Sequence, residues 1–156
     1  NGRMEFGARA LGNRSIIANP CTPKIKEIIN SKIKRRESFR PFAPAIILEE
    51  KKNWFQNDLN NPFMSSVELI NPKKSKFIPA VTHVDGTGRV QTVTRKNNLS
   101  FYSIIKKFKI LSGVPIILNT SFNENEPIVM SYKDAINCFL RTKMDILVLN
   151  NIIIKR

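Results

Sequence analysis

The sequence contains few of the residues from which metal centres and hydrolytic sites are usually built. Its 156 residues include two cysteines and one histidine, against 26 lysines and arginines and 12 acidic residues. Cys21 and Cys138 lie far apart without a CxxC spacing, which disfavours zinc and fits a reducing, cytoplasmic compartment. There is also no HExxH motif and no GxSxG motif. The sequence therefore predicts no metal site and no common hydrolase centre.

Long apolar runs and targeting segments are absent as well. No apolar run reaches the roughly 18 residues of a membrane-spanning helix, and the longest, "ILVLNNIIIK", is interrupted by Asn150 and Asn151. The first residue is Asn rather than Met, and no basic stretch leads into an apolar signal core. We expect one soluble cytoplasmic domain over residues 1–156, without a membrane partner, from a longer gene product.

Negative charge is scarce, which leaves a formal net charge of +14. Phosphate backbones favour Lys and Arg through counterion release, so a basic nucleic-acid-binding module is one alternative. Most lysines, however, lie among Asn and Ile in patterns that are typical of solvated faces, and no RRM-like aromatic platform is present. Arginines are more informative, because the planar guanidinium can bind phosphate or carboxylate through two parallel hydrogen bonds.

Helix and strand patterns alternate along the chain. The patterns predict an amphipathic helix from about 23 to 33, capped by Thr22, followed by an extended loop over 34–44. Further helices are predicted over 49–55, from a cap at Ser100 to Gly113, and after a capping box formed by Ser131 and Asp134. Strands are predicted at 45–48, 63–70, 114–118, 145–149 and 151–154, with a hairpin over 80–94 that turns at "DGTG". An α/β (α+β) class follows, with a mixed sheet covered by helices.

The candidate functional residues lie beside glycine and proline loops. They include four cations, which are Arg9, Lys34, Arg40 and Arg89. Asn119 and Ser121 follow "VPIIL", the clearest central strand, where α/β sheets commonly place ligands. A turn satisfied by its own Asn, Ser and Thr side chains would give the same pattern. His83 has no partner triad, and we interpret it as structural. The set indicates anion binding through electrostatics rather than a nucleophile.

Five motifs occur in an order that is typical of one family, namely "GRMEFGARALGNRSI", "RESFRPFAP", "AVTHVDGTGRVQTV", "GVPIILNTSFN" and "EPIV". Over essentially its whole length the sequence resembles the C-terminal domain of the NodU/CmcH carbamoyltransferase family. The resemblance implies a YrdC-like twisted mixed sheet covered by helices. It also implies an N-terminal actin-like domain, which binds a metal and the acceptor and is absent from residues 1–156.

The resemblance also implies an activity. Such domains bind carbamoyl phosphate and ATP with Mg²⁺ and form carbamoyl adenylate, from which the carbamoyl group passes to an acceptor hydroxyl compound held by the N-terminal domain. Carried over to this sequence, Lys34, Arg40 and Arg89 are the expected catalytic residues. The expected substrate-binding residues are Ser121, Asn119 and Arg9. An inactive nucleotide-binding fragment and a basic nucleic-acid-binding module of the same fold remain alternatives, although we do not expect a nucleic-acid partner.

Overall fold

A mixed four-stranded sheet organises the chain in the computed structural model, which describes residues 1–156. In chain order the elements are β1 (Ser15–Ala18), α1 (Lys24–Ile28) with a π-helical extension (Ile29–Ile33), β2 (Ala43–Ile47), a 3₁₀ helix (Leu48–Asn53), β3 (Glu68–Leu69), α2 (Pro72–Ser75), a second 3₁₀ helix (Pro79–Val81), β4 (Thr87–Gly88), β5 (Gln91–Val93), α3 (Leu99–Ser112), β6 (Ile116–Ser121), α4 (Tyr132–Arg141), β7 (Ile146–Leu149) and β8 (Ile152–Lys155). The predicted α/β (α+β) class is confirmed.

The direction of the strands decides which loops meet. The main sheet has the order β1-β6-β2-β5, and β3-β4 and β7-β8 form two small antiparallel sheets. Strand β6 is antiparallel to β1 and β2, whereas β5 is parallel to β2. Asn119 lies opposite Ala43, and Gln91 lies opposite Ala45. Strands β2 and β5 therefore begin at the same edge where β6 ends, and we call this edge the site end of the sheet.

Both faces of the two central strands are covered. Alternate residues Ile46, Ile116 and Leu118 belong to a core that includes residues of α1, its extension and α4. The intervening residues Ala45 and Ile117 pack with Phe101, Tyr102 and Ile105 of α3. A strand buried on both faces has a continuous apolar sequence instead of an alternating one, which explains "VPIIL" and confirms its central position. None of the helices is both long and apolar enough to span a bilayer.

Two predicted helix caps are wrong, although the helices themselves are confirmed. The first helix covers residues 24–33, but its N-cap is Pro23 and no side chain caps it, so Thr22 does not have the predicted role. The cap of α3 is Asn98, whose Oδ1 accepts a hydrogen bond of 3.0 Å from the amide of Phe101. The extended backbone of Asn98 orients its side chain toward this donor, so Ser100 lies within the helix.

Several local predictions are confirmed. Gly113 ends α3 at a φ of 76°, in the left-handed region that favours glycine. Ser131 and Asp134 form the predicted capping box at α4. Residues 48–53 are helical, in 3₁₀ geometry. Residues 34–42 are a loop, but Pro44 already belongs to β2, and the two last strands pair as a hairpin.

The predicted hairpin over 80–94 is wrong. The turn itself exists, because the amide of His83 donates to the carbonyl of Thr87 at 2.8 Å and that of Gly86 donates to His83 at 3.0 Å. Beyond the turn the two arms separate: β4 pairs with β3, and β5 pairs in parallel with β2. Pairing with β2 buries all three residues of β5, a gain that a short isolated hairpin cannot supply. The predicted strand over 63–70 is reduced to Glu68–Leu69.

The first fourteen residues are tied to the domain by specific contacts. Oε1 of Glu5 accepts hydrogen bonds from the amides of Leu11 and Asn13, at 2.8 and 2.7 Å. The guanidinium of Arg14 donates to the carbonyls of Gly2 and Met130, both at 3.2 Å. Nδ2 of Asn98, the cap of α3, donates to Oδ1 of Asn13 at 3.2 Å and holds the segment beside α3.

Gly12 provides the close approach of this segment to α3, and its substitution tests the contact. A Cβ on Gly12 would lie 2.7 Å from the Phe101 ring, at a φ of +125°. We expect Gly12→Ala to lower the free energy of unfolding by about 2–4 kcal/mol, because it adds overpacking to backbone strain. Gly7 is the matched control, since its φ is +134° and nothing lies within 4 Å of an added Cβ. Urea unfolding should show a smaller loss for Gly7→Ala, of about 1–2 kcal/mol from backbone strain alone; equal losses would contradict the packing role of Gly12.

Candidate functional site

Four arginines gather at the site end of the sheet, and we call Arg9, Arg36, Arg40 and Arg89 the arginine cluster. Arg40 shortly precedes β2 and Arg89 shortly precedes β5, so the shared start of these strands brings them together. Burial lowers the pKa of Arg89, and the positive charge of Arg9 lowers it further. Burial also lowers the pKa of Arg36. The charge of Arg40 lowers it further and that of Arg89 does so to a smaller extent, whereas the charge of Glu37 raises it. The cluster therefore contains three of the predicted cations.

The cluster is not neutralised by the chain. Its only salt bridge joins Nε of Arg40 to Oε2 of Glu37 at 2.9 Å, and both side chains are about half exposed. Arg36 donates from Nε to Oδ1 of Asn30 at 2.8 Å and stacks over the ring of Phe42, with its guanidinium carbon 5.0 Å from the ring centre. Neither contact removes positive charge. An excess of guanidinium groups on ordered loops is the arrangement that binds phosphate or carboxylate groups.

Arg89 has the least satisfied side chain of the cluster. Its Nε is buried and has no hydrogen-bond partner in the chain. Leaving a buried donor without a partner is costly, so such groups often mark a place where a ligand binds. Arg89 thus combines a free donor with positive neighbours, which is the strongest indication of an anion site in this structure.

Asn30 orders the loop that carries two of these arginines. This fully buried side chain donates from Nδ2 to the carbonyls of Ser38 and Arg40, at 3.2 and 3.0 Å, and accepts from Arg36. Sequence reasoning missed Asn30 and Arg36. A signal existed for Asn30, because it and Lys34, four residues later, extend the buried face formed by Ile29 and Ile33. Two polar residues on that face indicate contacts with a polar neighbour.

Lys34 is buried and saturated with protein ligands. The side chain donates from Nζ to the carbonyl and hydroxyl oxygens of Ser121 at 2.7 and 3.2 Å, and to the carbonyl and amide oxygens of Asn123 at 2.9 and 2.6 Å. The structure thus joins Lys34 to Ser121, two residues that the sequence proposed together. An ammonium group has three donors, so all of them are engaged here. Lys34 fixes the end of β6, and the charge of Arg36 contributes to lowering its pKa.

The segment after β6 is fixed by ion pairs as well. Glu124 pairs with Arg35 at 3.0 Å and with Arg141 at 3.4 Å, and Glu126 pairs with Arg141 at 2.6 Å.

Burial, with a hydrogen bond to Glu126, raises the pKa of the buried Cys138 thiol to about 12. A thiol with that pKa is protonated at neutral pH and is a poor nucleophile.

Asn119 links the sheet to the N-terminal segment. Its side chain is 1% exposed and donates from Nδ2 to the carbonyl of Ala10 at 3.0 Å and to Oε1 of Gln91 at 2.7 Å. Gln91 donates in turn to the carbonyl of Leu11 at 2.9 Å. The remaining acceptor of Asn119, Oδ1, is buried and has no partner. The position of Asn119 is thus fixed, while one of its polar atoms stays free.

His83 bonds within its own turn. Its Nδ1 lies 3.0 Å from the hydroxyl of Thr87. Burial lowers the pKa of His83. The charge of Asp85 raises it, and the charge of Arg89 lowers it. The imidazole is therefore neutral at pH 7 and adds no charge to the arginine cluster.

Two cavities of the domain lie away from the arginine cluster. A cavity of about 530 Å³ lies between β1 and α3, and its lining is almost entirely apolar. A second cavity, of about 340 Å³, lies between the N-terminal segment, Phe63 and Asn97, and borders Gln91. Charged ligands need charged partners, so we place the anion site at the arginine cluster rather than in the larger, apolar cavity.

Comparison with known sequences identifies the domain. The profile of the family described as "Carbamoyltransferase C-terminus" matches residues 1–156. The chain belongs to this family. The predicted resemblance is therefore confirmed over the whole chain.

Among the relatives of this carbamoyltransferase C-terminal domain, nodulation protein NolO of Bradyrhizobium diazoefficiens is 46% identical over 159 residues, which cover 99% of this chain and 29% of that protein. The 3'-hydroxymethylcephem-O-carbamoyltransferase of Amycolatopsis lactamdurans is 39% identical over 124 residues, or 80% of this chain and 23% of that protein. An uncharacterized protein of Methanocaldococcus jannaschii is 47% identical over 156 residues, 99% of this chain and 30% of that protein. The domain thus spans less than a third of the length of these curated relatives.

The environment of Lys34 predicts an unusual titration. Burial, followed by the charge of Arg36, lowers the pKa of Lys34 from 10.5 to about 8. With ¹³C-labelled lysine, one Cε resonance should titrate near pH 8 and should be missing from Lys34→Met. The folded domain releases this proton more readily than the unfolded chain, so the contribution of Lys34 to the free energy of unfolding rises from about pH 8 to 10.5. Titration of every lysine near 10.5 would contradict this environment.

Proposed function

We propose that this domain binds carbamoyl phosphate and ATP at the arginine cluster and forms carbamoyl adenylate, from which the carbamoyl group passes to an acceptor hydroxyl. One observation carries the proposal: Arg89 has a buried, unpartnered donor among arginines that the chain does not neutralise. Membership of the carbamoyltransferase C-terminus family supports carbamoyl transfer as the reaction class. The name of the cephem relative supports a hydroxyl oxygen as the acceptor.

The electrostatics of the site fit these substrates. Carbamoyl phosphate and ATP are both multiply charged anions, and they repel each other unless cations lie between them. Guanidinium groups on ordered loops supply that charge without reorganisation, and they stabilise negative charge that develops at a reacting phosphorus. Mass balance requires one water molecule, and phosphate leaves together with pyrophosphate when carbamoyl adenylate forms.

Each candidate residue has a role that its contacts support. Arg40 and Arg89 bind phosphate oxygens in pairs, and Arg9, which is exposed, adds charge from the N-terminal segment. Lys34 contributes its charge and holds Ser121, whose hydroxyl accepts from Lys34 and donates to Oδ1 of Asn123 at 2.7 Å. No group of three or more His, Cys, Asp or Glu side chains comes together in the chain. We propose that Mg²⁺ is bound through the phosphates of ATP, and that the acceptor and its metal are bound by the N-terminal domain that the resemblance implies.

The reaction itself gives the first test. The chain is incubated with carbamoyl phosphate, ATP and Mg²⁺, and the products are followed by pyrophosphate release and mass spectrometry. We expect pyrophosphate and carbamoyl adenylate, and neither when carbamoyl phosphate is omitted. Absence of both products, with no binding of either ligand by calorimetry, would refute the proposed function.

The arginine cluster gives the second test. Arg89→Ala should weaken binding of carbamoyl phosphate about 10- to 100-fold, because a charge-assisted hydrogen bond is lost. Arg89→Lys should recover part of the affinity, since it keeps the charge without the planar fork. Arg95→Ala is the matched control, because Arg95 is exposed, carries the same charge and does not belong to the cluster. Equal affinities for Arg89→Ala and Arg95→Ala would show that the site lies elsewhere.

A further inference from the structure

Arg35 has a backbone conformation that a residue with a side chain rarely adopts. Its φ is +43°, in the left-handed region. Arg35 directly follows Lys34, the C-cap of the π-helical extension, and thus occupies the position at which helices commonly end with glycine. A side chain in this region costs free energy that glycine avoids. Such conformations cluster at functional sites, where other contacts hold them in place.

The left-handed turn at Arg35 separates the directions of its two neighbours. Before the turn, Nζ of Lys34 binds the end of β6. After the turn, the amide of Arg36 donates to the carbonyl of Asn30 at 3.0 Å, and Nε of Arg36 donates to Oδ1 of the same residue. The conformation of Arg35 therefore sets the course of the loop that carries Arg36 and Arg40.

The side chain of Arg35 connects this turn to two other parts of the chain. Its Nε lies 3.0 Å from Oε1 of Glu124, and its Nη2 donates to the carbonyl of Arg141 at 3.1 Å. The side chain of Glu124 is 8% exposed, and it also pairs with Nε of Arg141 at 3.4 Å. A nearly buried carboxylate needs its partners, because losing them leaves a desolvated charge. The contacts thus join the first helix, the segment after β6 and the end of α4.

Stability alone does not explain an arginine at this position. The side chain of Arg35 is 57% exposed, and an ion pair with one exposed partner stabilises a fold only slightly. Glycine would remove the backbone strain, and Glu124 would still be paired with Arg141. What glycine would not supply is a connection between the turn and the segment after β6. The contacts of Arg35 therefore determine where the loop lies more than how stable the domain is.

We propose that Arg35 is a positioning residue for the anion site: its contacts with Glu124 and Arg141 hold the turn after the first helix, and this turn places Arg36 and Arg40 in the arginine cluster. Arg35 acts through these two arginines and not through a contact with the ligand. The inference rests on the proposed function and adds the residue that keeps its site in shape.

Two substitutions remove the contacts and keep the turn. Asn and Gly adopt the left-handed region more readily than Arg does, so Arg35→Asn and Arg35→Gly should melt within about 4 °C of the unmodified chain. We expect each variant to bind carbamoyl phosphate about 5- to 20-fold more weakly in calorimetry, because the loop must then be ordered on binding. A purely structural role would instead lower the melting temperature together with the affinity.

Two further variants are the matched controls. Arg35→Lys keeps a positive charge for Glu124, so it should recover most of the affinity. Arg141→Gln removes the same charge and the other side-chain partner of Glu124, but residue 141 lies on α4 and its carbonyl remains. The affinity of this variant should change less than about threefold. Equal losses in Arg35→Asn and Arg141→Gln would mean that charge near the site is responsible, and would overturn the inference.

The titration of Lys34 gives a readout that needs no ligand. The charge of Arg36 contributes to lowering the pKa of Lys34 to about 8, so this pKa reports how close Arg36 lies. In Arg35→Asn the loop is released, and the pKa of Lys34, followed by ¹³C NMR, should rise from about 8 toward 10.5. An unchanged titration in this variant would overturn the inference.

The remaining outcomes separate the inference from the proposed function. Unchanged affinity for carbamoyl phosphate in Arg35→Asn and Arg35→Gly would overturn the inference, whereas the proposed function would stand. Unfolding of both variants would show that Arg35 serves the stability of the fold, and would overturn the inference equally; if one of them folds, that variant decides. Failure of the unmodified chain to bind carbamoyl phosphate would refute the proposed function, and the inference with it.

Discussion

The buried ammonium group of Lys34 connects the parts of the domain on which the site depends. Lys34 caps the helical segment that ends at Ile33, and its Nζ binds two oxygens of Ser121, the last residue of β6, and two of Asn123, which follows the strand. A charge that is 3% exposed is retained only when its donors are satisfied. This constraint fixes the end of the central strand against the helix, and with it the start of the loop that carries Arg36 and Arg40.

The arginine cluster follows from this framework. Because β2 and β5 are parallel and β6 runs against them, the loops before β2 and β5 open at the same end of the sheet as the polar end of β6. The side-chain amide of Asn30 holds the loop through a hydrogen bond to the carbonyl of Arg40. The side-chain amide of Gln91 holds the N-terminal segment through a hydrogen bond to the carbonyl of Leu11. Like charges that lower the pKa values of their neighbours destabilise the free domain. Such a cost is typical of a site that is organised for an anion.

Local patterns predicted the elements better than they predicted the pairing between them. The apolar run of β6, Gly113 and the capping box of Ser131 depend on neighbours in the chain, and they were predictable. The loop cations were identified from their glycine and proline context, and the structure brings Arg9, Arg40 and Arg89 into one cluster. The parallel pairing of β5, the anchoring by Asn30 and the unpaired oxygen of Asn119 depend on contacts across the fold. No spacing in the sequence encodes these contacts. The turn residues of "DGTG" therefore predicted a local hairpin where β5 pairs with β2 instead.

A crystal structure of the chain with bound carbamoyl phosphate would test the central claim most directly, which is that the arginine cluster is the anion site. The account predicts a phosphate oxygen within hydrogen-bond distance of Arg89 Nε, with Arg40 nearby and with Lys34 still bound to Ser121 and Asn123. A ligand located away from these arginines, or an Arg89 Nε that donates to a protein oxygen while the ligand is bound, would contradict it.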